Sequence, residues 1–120
     1  MPDQNKVAFL QGLLVGIVAN NQLTDYEEVR RLIGCSKEQV GEYLDAARQG
    51  LAEGSDFCSI VVNSTGLPGL NWRKNGFSPQ EWAKARTDAH RYWDDRRRLD
   101  KDEFEAKYGS VPPVPAKNPT

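Results

Sequence analysis

Residues 24–54 decide the fold, and they read TDYEEVRRLIGCSKEQVGEYLDAARQGLAEG. Thr24 followed by Glu27 is a capping-box pattern, in which two side chains each satisfy a free backbone N–H at the start of a helix. Apolar residues then recur at helical spacing up to Ile33, and Gly34 stands where helices commonly end. The stretch therefore predicts a short helix that stops at Gly34.

The same start signal recurs immediately after this glycine. Ser36 is followed three residues later by Gln39, and the apolar residues beyond them share one helical face. Gly54 then supplies a stop signal. We therefore expect a second helix over residues 37–53. Two short helices joined by a three-residue turn predict a helix-turn-helix.

The segments on either side of this pair complete the expected fold. Residues 3–20 predict a helix with one apolar stripe. Residues 57–62 form a β-branched run that predicts a buried strand. The Gly- and Pro-containing stretch 64–69 predicts a turn that returns the chain through residues 70–72. The fold class expected is thus mainly α with a small β-hairpin wing, a winged helix-turn-helix.

The C-terminal third predicts two more helices. Ser78-Pro79-Gln80-Glu81 combines an N-cap serine, a proline at the first helical position and a glutamate three residues after the serine. A shorter helix is expected over residues 101–108, between Asp100 and Gly109. We expect one winged-helix-like domain over residues 1–109, with a C-terminal helical extension, and an extended Pro-rich tail over residues 110–120.

Composition narrows the class of protein. The chain has 120 residues, a formal net charge of −1, and 28% charged and 38% hydrophobic residues, which is typical of a soluble globular domain. Its apolar runs fall short of the roughly 18 residues that a membrane span needs, so we expect a cytoplasmic protein with no membrane partner. Cys35, Cys58 and the single histidine, His90, lack the spacing of a metal site. We expect no metal and no cofactor.

Three motifs in the middle of the chain, taken in order, resemble one known family. They are residues 26–34 (Tyr-Glu-Glu-Val-Arg-Arg-Leu-Ile-Gly), Val40-Gly41 with Leu44, and Val61-Val62-Asn63-Ser64 with Gly66. Their order and spacing resemble the DNA-binding domain of alkylguanine-DNA alkyltransferases over about 45 residues. Residues 61–69 with Trp72 also resemble a group of uncharacterised small bacterial and phage proteins. The alkyltransferase resemblance implies a winged helix that binds DNA.

The resemblance also implies roles for single positions. Tyr26 matches a tyrosine that presses on a phosphate and helps to rotate a base out of the duplex, and Asn63 matches the hinge between strand and wing. The residues themselves leave alternatives open, a packed aromatic for Tyr26 and a turn residue for Asn63. Glu38 stands where the family has an arginine that fills the gap left by the base. A carboxylate has the wrong sign for that place.

Cys58 falls on the position of the family's alkyl-accepting cysteine. The family surrounds this cysteine with Pro-Cys-His-Arg, whereas this chain reads Phe57-Cys58-Ser59-Ile60. Nucleophilic attack needs a thiolate, and apolar surroundings without a neighbouring base keep a thiol protonated. We therefore expect Cys58 to act as a small buried apolar residue, and we expect the protein not to be an enzyme.

Charge is unevenly distributed along the chain. Residues 35–56 hold two basic against five acidic residues, so the helix expected over residues 37–53 is acidic. Residues 73–98 hold eight basic against four acidic residues. Their basic residues are either a track for phosphates or one side of ion pairs within a helix. The residues concerned are the stripe Lys84, Arg91 and Arg98 and the pairs Asp88–Arg91 and Asp94–Arg98.

Two functions of different classes fit these observations. The first is a non-enzymatic DNA-binding winged-helix protein. The alternative is a protein-binding adaptor or inhibitor that uses the acidic helix over residues 37–53 against a basic partner. For the first function, the residues expected at or near the DNA are Tyr26, Lys37, Gln39, Asn63, Arg73 and Lys74.

Overall fold

The structure is a computed structural model and describes residues 2–52, 54–68 and 78–109. These residues are mainly helical and carry one small two-stranded sheet, which confirms the expected class at that level. The elements are α1 (Gln4–Ala19), β1 (Thr24–Asp25), α2 (Tyr26–Ile33), α3 (Val40–Ala47), a 3₁₀ helix (Phe57–Ile60), β2 (Val61–Val62), α4 (Pro79–Arg98) and α5 (Lys101–Tyr108).

Helix α1 is the element around which the others pack. Its start is fixed by Asp3, whose carboxylate accepts hydrogen bonds from the backbone N–H groups of Asn5 and Lys6. One face is buried against α3, α4 and the 3₁₀ helix. The helix predicted over residues 3–20 is confirmed. The largest apolar residues of the buried face are Val7, Leu10, Leu14 and Val18.

Helix α2 ends as the sequence predicts and begins with a different cap. Gly34 has a φ of 68° and its N–H bonds to the Arg30 carbonyl, so the helix stops there. The N-cap is Asp25, whose carboxylate accepts from the N–H of Glu28 at 2.7 Å. The capping box expected from Thr24 is wrong, because Thr24 belongs to strand β1 and its side chain is buried.

Helix α3 is shorter than the helix expected over residues 37–53. Residues 37–39 form a turn, and the Gln39 side-chain carbonyl accepts a hydrogen bond from the Ser36 N–H instead of extending the helix. The helix ends at Ala47, and Gly50 follows with a φ of 75°. Since that left-handed conformation suits glycine, the stop lies at Gly50 and not at Gly54.

The β-hairpin wing is wrong for the residues that the structure describes. Phe57–Ile60 is a 3₁₀ helix, capped by the Asp56 carboxylate, and not the start of a strand. Val61–Val62 pairs with Thr24–Asp25, and the two strands run parallel. A tight loop follows, closed by an antiparallel bridge between Val62 and Pro68. The return expected through residues 70–72 lies outside the described residues.

The two C-terminal helices are confirmed. Ser78 caps α4, with Pro79 at the start of the helix, and a full capping box between Asp100 and Glu103 starts α5. An aromatic cluster joins the two helices, with ring centroids 4.6–5.2 Å apart. The members of this cluster are Tyr92, Trp93, Phe104 and Tyr108.

A buried carboxylate also joins these two helices. Asp95 on α4 accepts hydrogen bonds from the ammonium group of Lys107 and the hydroxyl of Tyr108 on α5, both at 2.6 Å. These two bonds hold the pKa of Asp95 below its ordinary value. Burial and the neighbouring carboxylate raise the pKa of Tyr108 to about 12. The tail expected over residues 110–120 lies outside the described residues.

Two tryptophans fix the 3₁₀ helix against α4. The indole N–H of Trp93 donates to the Ser55 carbonyl, and that of Trp82 donates to the Ser59 carbonyl, each at 2.8 Å. Phe57 stacks on Trp93 at a centroid distance of 5.9 Å. The place of strand β2 is therefore set by side chains of α4. Among the described residues, no helix has the length and apolar character needed to cross a membrane.

We expect Leu14→Ala to lower the free energy of unfolding by about 2–5 kcal/mol, because it opens a cavity in the centre of the core. Leu23→Ala removes a side chain that is 51% exposed and should cost well under half as much. Urea denaturation followed by tryptophan fluorescence measures both values. Equal losses would contradict the central position of α1.

Candidate functional site

Tyr26 and Asn63 come together at one end of the parallel sheet. Thr24 pairs with Val61 and Asp25 with Val62, so the next residue of each strand leaves the sheet at the same end. Tyr26 is half-buried and packs against the core. The Asn63 side-chain carbonyl accepts from the backbone N–H groups of Thr65 and Leu67. The sequence left open that Tyr26 is a packed aromatic and that Asn63 is a turn residue, and the contacts observed here fit both of these alternatives.

The remaining expected DNA contacts are more dispersed. Lys37 is exposed in the turn before α3. Gln39 is exposed as well, but its side-chain carbonyl is occupied by the Ser36 N–H at 3.0 Å. Arg73 and Lys74 lie outside the described residues. Within the described part, Lys37 is thus the one expected DNA contact that carries a positive charge.

Cys58 is buried, and its surroundings oppose formation of a thiolate. Its Sγ lies 3.6 Å from the Leu44 carbonyl oxygen, which accepts a weak hydrogen bond from the thiol. Burial, together with the nearby carboxylate of Asp56, raises the pKa of the Cys58 thiol well above its ordinary value. Burial likewise raises the pKa of Cys35. These features support the expectation that Cys58 is an unreactive core residue.

Helix α3 and the turn before it present three carboxylates to solvent. Glu42 and Asp45 are exposed on α3, three residues apart on one face, and Glu38 is exposed in the turn that precedes the helix. None of the three forms an ion pair within residues 2–52, 54–68 and 78–109. We call these three side chains the acidic face. The opposite face of the helix is buried through Val40, Tyr43, Leu44 and Ala47.

Many basic side chains near the acidic face are engaged within the chain. On α2, Arg30 pairs with Glu27 and Arg31 with Glu28. Arg48, which follows α3, pairs with Asp56. The ammonium group of Lys6 donates to the Gly34 carbonyl at 2.8 Å. Among the described residues, none of these cations pairs with the acidic face, and the exposed Lys37 next to Glu38 forms no ion pair either.

The basic stripe of α4 is largely an ion-paired surface. The expected pair Asp94–Arg98 is confirmed at 3.5 Å. The expected pair Asp88–Arg91 is wrong, because Asp88 accepts from Lys84 one turn earlier, at 2.6 Å. Arg91 is exposed and forms no ion pair in the described part of the chain. Two of the three basic residues of the stripe, Lys84 and Arg98, are therefore paired with neighbouring carboxylates, which weakens the interpretation of the stripe as a phosphate track.

An open groove of about 430 Å³ with a mixed polar and apolar lining lies between α1 and α2. The Thr24 side chain is 8% exposed, and its hydroxyl oxygen finds no hydrogen-bond partner among the described residues. Sequence reasoning did not identify this groove, although one signal was present, since residues 7–24 contain no charged side chain. The groove is lined by Leu13, Ile17, Gln22, Leu23, Thr24, Asp25, Glu28 and Leu32.

The described residues contain no group of three or more His, Cys, Asp or Glu side chains placed to hold a metal ion. No family model, no curated protein and no solved structure matches the chain. The interpretation of its surfaces therefore rests on their own geometry and charge.

We expect Cys58 to resist alkylation in the folded protein. At pH 8, iodoacetamide should label Cys58 at least about 100-fold faster in urea than in buffer, because the thiol is buried and protonated in the fold. Peptide mass spectrometry measures both rates, and incubation with alkylguanine-containing duplex should add no alkyl mass to Cys58. Transfer of the alkyl group to this sulfur would contradict the expectation that Cys58 does not accept alkyl groups.

Proposed function

We propose that this chain is a non-catalytic interaction protein that binds a basic surface of a partner protein through α3. The observation that carries the proposal is the acidic face, formed by Glu38, Glu42 and Asp45. Two carboxylates on this short helix and a third in the turn before it raise the local negative potential, and this potential attracts and orients a partner of opposite sign.

The contacts that hold α3 against α1 favour a binding role. The Tyr43 hydroxyl accepts a hydrogen bond from the Asp3 N–H at 3.1 Å, and the Gln11 side chain donates to the Ala47 carbonyl at 3.0 Å. Leu44 is buried in the core. Because α3 is held at both ends by α1 and its cap, its carboxylates are presented on a fixed scaffold. A preorganised surface loses less entropy when it binds.

Charge separates this proposal from DNA binding through the same helix. Phosphate neutralisation supplies most of the non-specific affinity of DNA-binding proteins. The acidic face has the sign that repels phosphates. A basic protein surface, by contrast, gains Coulomb energy from the same three carboxylates.

DNA binding is a second candidate function, because the arrangement of α2 and α3 favours it. Helices α2 and α3 contact each other across the turn at Gly34, which is the order of a helix-turn-helix. Lys37 is exposed in the turn at the start of α3. This candidate requires positive charge from outside the acidic face, for which the sequence offers Arg73 and Lys74.

We expect the chain to bind a fluorescein-labelled arginine-rich peptide more tightly than a labelled duplex at low salt. The variant Glu38→Gln/Glu42→Gln should weaken peptide binding about three- to thirtyfold, at a few tenths to about 1 kcal/mol per exposed charge. The matched control Asp102→Asn/Glu105→Gln changes the net charge equally on α5 and should have little effect. Fluorescence anisotropy measures all affinities. Equal weakening in the two variants would contradict a specific role for α3.

The same titrations test the second candidate. If the chain contacts DNA through the start of α3, Lys37→Ala should weaken duplex binding and reduce the slope of its salt dependence by about one. Glu38→Gln/Glu42→Gln should then strengthen duplex binding. Tighter binding to duplex than to peptide, with this pair of responses, would replace the proposed function by DNA binding.

A further inference from the structure

Helix α5 is held to the rest of the protein by a small set of side chains. Of its eight residues, Phe104 is buried and Tyr108 is half-buried, whereas the other six are exposed. In the described part of the chain, the hydrogen bonds, ion pairs and ring contacts that join α5 to another element all go to α4. The position of α5 therefore depends on one neighbouring helix.

The length of α5 makes this dependence strict. An isolated helix of eight residues does not persist in water, because few hydrogen bonds offset the cost of ordering its first turn. The capping box between Asp100 and Glu103 satisfies backbone N–H groups at the start of α5, but it adds no contact to α4. We therefore expect α5 to be helical when it is docked and to melt when it is released.

The docked position is fixed at the far end of α5 by the carboxylate of Asp95. This carboxylate is buried on α4, and its two short hydrogen bonds come from Lys107 and Tyr108, the last two residues of α5. Arg98, on the same helix as Asp95, lies farther away, at 4.0 Å from the other carboxylate oxygen. Charge-assisted hydrogen bonds to a buried carboxylate are strong, so their loss opposes the release of α5.

The link at the other end of α5 is short and unstrained. Leu99 and Asp100 join the two helices, and both have extended backbone conformations, with φ of −89° and −73°. A change of backbone angles at one or two such residues is enough to re-aim a terminal helix. Helix α4 keeps its own contacts with α1 and the 3₁₀ helix during such a change. The link therefore has the position and the conformations of a hinge.

We propose that α5 is a latch that opens about residues 99–100 while the rest of the protein stays folded, and that Asp95 holds it closed. Opening uncovers the ring of Tyr92, which is 4% exposed in the closed form and lies 5.2 Å from the rings of both Phe104 and Tyr108. Trp93 stays in place, because its indole N–H is bonded to the Ser55 carbonyl. The latch thus controls access to an aromatic surface of α4, and it is independent of the acidic face.

The ionisation of Asp95 and Tyr108 favours the closed latch at neutral pH. The bonds from Lys107 and Tyr108 lower the pKa of Asp95, so they stabilise the closed form above the ordinary carboxyl pKa of about 4 and are lost as the pH falls below it. Burial and the Asp95 carboxylate raise the pKa of Tyr108 to about 12. The Tyr108 hydroxyl therefore stabilises the closed form below the ordinary tyrosine pKa of about 10, and this contribution is lost between about pH 10 and 12. The other groups that act on these two are Arg98 on Asp95, and Arg91 and Tyr92 on Tyr108.

Hydrogen–deuterium exchange of the full chain at pH 7 tests the proposal, with the amides of residues 104–108 reporting on α5 and those of residues 10–18 on α1. After correction for intrinsic rates, the α5 amides should exchange at least about tenfold faster, because they open locally. Urea below the unfolding transition should accelerate exchange in α1 and leave α5 unchanged, since a local opening exposes little surface. Equal rates and equal urea dependence in the two helices would overturn the proposal.

Substitutions test the role of Asp95. Asp95→Asn should accelerate α5 exchange about tenfold and leave α1 within about twofold. The control Asp94→Asn removes the same charge from a residue that pairs with Arg97 and Arg98 on its own helix, and it should leave α5 within about twofold. Tyr108→Phe keeps the ring, should accelerate α5 exchange about threefold, and tests the proposal even if Asp95→Asn folds poorly.

Two results with these variants would also overturn the proposal. Equal acceleration of α1 and α5 in Asp95→Asn would show that α5 opens only when the whole chain unfolds. Unchanged α5 exchange in both Asp95→Asn and Tyr108→Phe would show that this contact does not hold the helix closed.

Discussion

The burial of one face of α1 is the constraint on which the rest of the structure depends. Leu10, Leu14 and Val18 on this face are fully buried, and the face contacts α3, α4 and the 3₁₀ helix. Each of these elements is too short or too polar to bury its apolar side chains alone, so each is stable only when docked on α1. The position of α3, and with it the acidic face, is therefore a consequence of packing on α1.

The sequence predicts the helices well because their signals are local. Capping residues and left-handed glycines act within one helical turn, as Asp100 and Gly34 show. The strand expected over residues 57–60 was wrong because the contacts that decide their conformation are distant in sequence. Residues 57–60 have strand propensity, but hydrogen bonds from Trp82 and Trp93 bind the backbone of that region from α4. The partner of β2 is a strand 37 residues earlier, and local propensity carries no information about it.

In the candidate site, as in the fold, features set by nearby residues could be predicted from the sequence, and contacts between distant residues could not. The charge count predicted an acidic helix over residues 37–53, and the structure shows Glu42 and Asp45 exposed on α3 and Glu38 exposed in the turn before it. The sequence could not show which cations are already engaged, because the pair Arg48–Asp56 depends on how the chain turns after α3. It left open whether Asn63 is a turn residue, and the structure shows its side-chain carbonyl accepting from N–H groups of its own loop. A count of charges along a segment overestimates what is free to bind phosphate.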